Sequence, residues 1–107
     1  IGSAGAFNIG VNETQINMVL PIFASELVKA RVADDYKTRS MVFGELFDPD
    51  TAVKAGYLDQ VVEADKLHGA AMAHAEAITP LSGTPLTGNK HLLREETLAN
   101  IAASLPA

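Results

Sequence analysis

The 107 residues include no cysteine, so the chain can hold no disulfide framework and offers no thiolate nucleophile or thiolate metal ligand, a composition that suits a reducing compartment. Basic residues are few. Eight Lys and Arg against thirteen Asp and Glu leave a formal charge of −5, and the eight are scattered along the chain. Phosphate-backbone binding needs clustered cations that release counterions, so nucleic acid is excluded as a partner. One phosphate of an anionic small molecule is not excluded, because a few basic groups suffice for it. No apolar run approaches the ~18 residues of a membrane span, and no charged leader precedes the apolar start. The expectation is a soluble cytoplasmic protein without a membrane partner. Internal repeats and low-complexity tracts are missing as well.

A chain of this length makes one domain at most, and burial of roughly 65% of its unfolded surface gives only modest stability. It opens at Ile1 in strand-like sequence, so the expectation is that it belongs to a longer polypeptide whose missing N-terminal part completes it. Residues 1–11 alternate small, glycine and apolar residues, which suits two short strand pieces joined by a turn around Gly5. The glycine spacing fits neither common phosphate-loop pattern. Strand pieces of this kind need partners that the rest of the chain hardly supplies.

Pro21 opens a helix expected to end near Val32, with Phe23, Leu27 and Ala30 on one face. Asp34 is placed to cap a second helical segment, 35–43, which Gly44 would stop in the left-handed conformation. Asp48 with Pro49 reads as the start of a short helix closed by Gly56. Residues 57–62 have the β-branched content of a strand, and 63–79 carry Leu67, Ala71, Ala75 and Ile78 at helical spacing. Two prolines and two glycines predict a loop over 80–88, followed by a last helix over 89–104. The division drawn from this is 1–79, with strand pair, turn, helices and short strand, and 80–107, a C-terminal helical segment.

Glu13 stands out. It lies between an apolar approach (Phe7, Ile9, Val11) and an apolar exit (Ile16, Met18, Val19, Leu20). A carboxyl among hydrophobes is costly unless paired, hydrogen-bonded or kept neutral, and the neutral form is the one a general acid needs. The bland alternative is a structural carboxylate that caps the next helix or pairs with an arginine of a segment outside this chain. His68, His74 and His91 include no pair at i,i+4 on one helix, so they read as surface histidines, not as metal ligands. The methionines and Phe23, Phe43 and Phe47 read as core filling, the alternative being that some of them border a bound apolar chain, and Asp48 and Asp50 read as capping residues.

Residues 7–21, followed by the run GELFDPDTAVKAGYLDQVV that ends at Val62, resemble the C-terminal half of the enoyl-CoA hydratase/isomerase, or crotonase, superfamily. The resemblance covers nearly the whole chain. It implies an α/β crotonase-like ββα superhelix, of which this chain is the mostly helical C-terminal part with one or two strand pieces at the start. It further implies an acyl-CoA thioester as small-molecule substrate, with coenzyme A present only as part of that substrate and no separate cofactor. Fatty acid metabolism and a homotrimer or hexamer follow from the same resemblance.

Only Glu13 falls on a catalytic position of the family, as general acid/base, while Lys90 resembles a lysine that meets a CoA phosphate. The plain reading of Lys90 is a surface lysine. The family's oxyanion-hole N–H groups and its second glutamate lie upstream of this chain, so the chain alone is expected to be inactive. Three departures stand inside the matched region: Asn17 where many members have glycine, one extra residue before Pro21, and Pro-Ile-Phe-Ala-Ser in place of a glycine-rich run. Hydratase, a lyase activity, isomerase and hydrolase all stay open. The competing reading is a non-catalytic helical interaction or scaffold module that has lost the activity.

Overall fold

A computed structural model describes residues 1–106. In chain order the elements are β1 (Gly2–Ser3), α1 (Ile22–Arg31), α2 (Pro49–Ala55), β2 (Val61–Val62), α3 (Leu67–Ile78) and α4 (Thr84–Ser104). Single 3-10 turns and one π-helical turn, Thr38–Val42, join them.

The centre of the molecule is small because its residues are small. Ala52 and Ala55 of α2 are wholly buried and let Phe47 approach closely, with Ile9, Tyr36, Tyr57 and Leu58 packed around them. Tyr36 meets Phe47 edge-on at 5.7 Å between ring centroids, the geometry that aromatic quadrupoles favour. α2 begins as the sequence predicts: the Asp48 carboxylate accepts the Thr51 N–H at 2.7 Å and Pro49 occupies the first turn. It ends at Gly56 with φ +97°, where a Cβ would stand 2.8 Å from the Arg31 carbonyl oxygen. Glycine there lets the ends of α1 and α2 touch, and Ala33 N–H donates to the Ala55 carbonyl at 2.8 Å across the same junction.

The strand pieces find partners within the chain, contrary to the expectation that it hardly supplies any. β1 pairs in parallel with β2, Gly2 opposite Val61 and Ser3 opposite Val62. Beyond the bend at Gly5, Ile9 exchanges two backbone hydrogen bonds of 2.8 Å with Phe47 in an antiparallel bridge. The two pieces of the first segment therefore do not pair with each other. Of the strand expected over 57–62, only Val61–Val62 is extended and paired.

Two further expectations need correction. Asp34 does not cap a helix: Ala33 precedes the 3-10 turn Asp34–Tyr36, and the Asp34 carboxylate binds Lys37 at 2.7 Å instead. Residues 80–88 are not one loop, because Thr79–Leu81 form a 3-10 turn and α4 already starts at Thr84. α4 runs back along α1, where Asn100 donates to the Glu26 carboxylate at 3.2 Å and Lys29 pairs with it at 2.8 Å. Those two partners, Lys29 first, hold the Glu26 carboxyl below its ordinary range. Among the described residues, none of α3 or α4 is fully buried. Among them, too, no helix is long and apolar enough to cross a membrane.

Candidate functional site

Glu13 opens a 3-10 turn, Glu13–Ile16, directly after the segment that Ile9 anchors to Phe47. The turn closes through Asn17, a non-glycine residue in the left-handed region at φ 59°, ψ 41°. Asparagine tolerates that region better than most residues, which accounts for Asn17 at a position where the resemblance anticipates glycine. Its conformation directs Met18 N–H back to the Glu13 carbonyl at 2.8 Å, after which the chain passes Val19 and Leu20 to Pro21 and α1.

This path leaves a groove of about 320 Å³ lined by Glu13, Thr14, Met18, Val19, Leu20, Ser25, Met41 and Val42. Among the described residues that line it, Glu13 carries the only ionisable side chain. One carboxylate oxygen of Glu13, Oε2, is buried and has no hydrogen-bond partner among the described residues. A buried acceptor without a donor is costly, so this oxygen is the unsatisfied group of the site. Among those residues the carboxyl is thus neither a helix cap nor a member of an ion pair. The far wall of the groove comes from the π-helical turn, with the Thr14 hydroxyl at 3.5 Å from the Met41 carbonyl oxygen. Sequence reasoning placed Met41 in the core with the border of a bound apolar chain as the alternative, and a π-helical register leaves no distinct periodicity by which to choose between them.

Lys90 stands elsewhere. It is exposed on α4, in a separate cleft of about 440 Å³ shared with Leu86, Thr87, His91, Arg94 and Leu98. His68, His74 and His91 are exposed.

Solved relatives superpose on nearly all of this chain. An enoyl-CoA hydratase/isomerase family protein from Pseudomonas syringae matches at TM-score 0.90 and 36% identity, over 96% of this chain and 45% of that one. This chain has the C-terminal fold of the enoyl-CoA hydratase/isomerase family. An enoyl-CoA hydratase from Mycobacterium marinum matches at TM-score 0.88 and 26% identity, over 96% of this chain and 46% of that one. Human mitochondrial delta3-delta2-enoyl-CoA isomerase shares the fold at TM-score 0.84 and 21% identity, over 96% of this chain and 40% of that one.

Among curated relatives, mouse mitochondrial enoyl-CoA delta isomerase 1 is 25% identical over 95 residues, 89% of this chain and 33% of the relative. Its human counterpart is 29% identical over 65 residues, 61% of this chain and 22% of the relative. No family model matches the chain. The chain spans less than half the length of these solved relatives and a third or less of the curated ones. Both curated relatives are mitochondrial by name, which gives no support to a cytoplasmic location.

Proposed function

We propose that this chain forms the C-terminal part of an acyl-CoA-processing enzyme in which Glu13 is the general acid/base of an enoyl-CoA isomerisation. One observation carries the reading: the unpartnered, buried Oε2 of Glu13, on a residue that lines an apolar groove. The Glu13 carboxylate takes a proton from C2 of a 3-enoyl thioester, and the electron pair moves onto the thioester oxygen as an enolate. The resulting Glu13 carboxylic acid then gives its proton to C4, and the double bond comes to rest between C2 and C3. A single carboxyl can serve both transfers, because it holds the same proton between them. The isomerase names of the curated relatives lean the same way. Hydrogen-bond donors for the enolate oxygen are assigned to the polypeptide beyond this chain, and they carry the largest share of the stabilisation.

Lys90 is assigned to a CoA phosphate. It stands one helical turn before Arg94 and both line one cleft, which supports their sharing one phosphate. In the full-length enzyme, Lys90→Ala should weaken an acyl-CoA several-fold while leaving the affinity for the acyl-pantetheine, which lacks the nucleotide phosphates, unchanged. Equal loss for both ligands overturns the assignment.

The decisive experiment uses the full-length polypeptide with a 3-enoyl-CoA, followed by the absorbance of the conjugated thioester. Glu13→Gln should lower kcat by about 100-fold or more, the usual worth of a positioned acid/base, with little change in ligand affinity. Unaltered turnover refutes the reading. The alternative, a non-catalytic interaction module, draws on the exposure of Leu92 and Leu93 on α4, which are 69% and 79% accessible. A full-length protein that binds no acyl-CoA and turns none over would favour it.

A further inference from the structure

The wall of the groove opposite Glu13 has an unusual construction. In the turn Thr38–Val42 the Phe43 N–H reaches back five residues to the Thr38 carbonyl at 3.1 Å. A π-helical turn takes up one residue more than an α-helical one, so the side chains after it are rotated by about 100° from their α-helical places. The outcome is visible in three successive side chains. Ser40 points inward, fully buried, and its hydroxyl is hydrogen-bonded to the Tyr57 hydroxyl. Met41 and Val42, the next two, line the groove.

Both flanks of this wall are fastened. On one side the Arg39 guanidinium grips Glu45 through two hydrogen bonds, at 2.8 and 2.6 Å, and lies over the rings of Tyr36 and Phe47 at 4.8 and 5.5 Å. On the other, Gly44 at φ +64° packs against the residue before Glu13, where a Cβ would come within 3.2 Å of the Asn12 Cα. The backbone that carries Met41 is therefore held rigidly, whereas its unbranched side chain has three rotatable bonds and adapts to what touches it.

We infer that Met41, presented by the π-helical turn, is a specificity-determining residue that sets how long or how bulky an acyl chain the Glu13 groove accepts. The inference rests on the acyl-CoA reading above and extends it to a class of substrate: Met41 admits straight chains that lie along the groove beside Met18 and Val42 and rejects those branched near the reacting carbons. Its test is independent of turnover. Saturated acyl-CoA thioesters of short straight, long straight and short branched chains are titrated against the full-length protein, wild type, Met41→Ala and Met41→Trp. Met41→Ala should tighten the branched and long ligands by about tenfold relative to the short straight one, the magnitude that one or two methylene groups command in an apolar pocket. Met41→Trp should shift the preference the opposite way. Ser40→Ala, which frees the anchored neighbour, should blunt the discrimination between chains without abolishing binding.

An unchanged order and spacing of affinities in folded Met41→Ala overturns the inference, whatever Met41→Trp does. Failure of every thioester to bind the folded wild type overturns this inference and the acyl-CoA reading together. A normal Glu13→Gln effect on turnover with a flat Met41 profile overturns this inference alone, and a shifted Met41 profile with an indifferent Glu13→Gln overturns only the catalytic role.

Discussion

Asn17 shows how a single side chain decides whether Glu13 is presented at all. Left-handed backbone costs an ordinary L-residue roughly 1–2 kcal/mol, less for asparagine and nothing for glycine. Replacing Asn17 by valine should therefore lower the stability of the full-length protein by about 1–2 kcal/mol and depress turnover, because the turn that aims Glu13 is the part that relaxes. Asn17→Gly should retain both. Thermal unfolding and kcat measured on the two variants check this, and a valine variant as stable and active as the parent would show the turn to be unstrained. The position of Asn17 was legible from the sequence as a departure from an expected glycine, but its consequence was not. An amino-acid letter carries no dihedral angle.

The segment between α1 and α2 shows a different limit. α2 was legible to the residue because Asp48, Pro49 and Gly56 each act through local geometry that a sequence states outright. The turn Thr38–Val42 was legible only as helical, since its register is settled by tertiary partners, Ser40 with Tyr57 and Arg39 with Glu45. α4 starts earlier than the composition suggested for a related reason. Pro85 falls in its first turn, where a missing N–H costs little, and Gly88 is tolerated inside the helix at a cost of about 1 kcal/mol relative to alanine.

The Arg39–Glu45 clamp also has a pH signature. Its hydrogen bonds hold the Glu45 carboxyl below the usual carboxylate range and raise Arg39. Glu45 thus has a lower pKa folded than unfolded, so the stabilisation is complete above the unfolded value and is lost as the pH falls through the folded one. The stability gap between wild type and Arg39→Met should accordingly narrow from neutral to strongly acidic pH, as read from denaturant midpoints. Both groups are substantially exposed, so the gap itself is modest, and high salt should shrink it. A gap that widens on acidification would remove the clamp from the account of the groove wall.

Taken entire, the molecule keeps a small buried centre around Phe47, Ala52 and Ala55 and leaves many large apolar side chains in solvent, Val19 at 92% accessible among them. The sequence made the family legible because the helix closed by Gly56 and the following YLDQVV are a long, specific pattern. It also singled out Glu13. What it could not supply was the company Glu13 keeps: Met41 and Val42 lie far along the chain, and their approach depends on Gly44 against Asn12. The separation of Lys90's cleft from the Glu13 groove, two surfaces with no lining residue in common, was equally hidden.

The parallel pairing of Gly2 with Val61 carries a consequence for the order of assembly. A contact between residues so remote in sequence must wait for costly loop closure, whereas the turns and helices between them form from near neighbours. The Gly2–Val61 pairing is thus expected among the last contacts to form, after the helices that lie between its two strands.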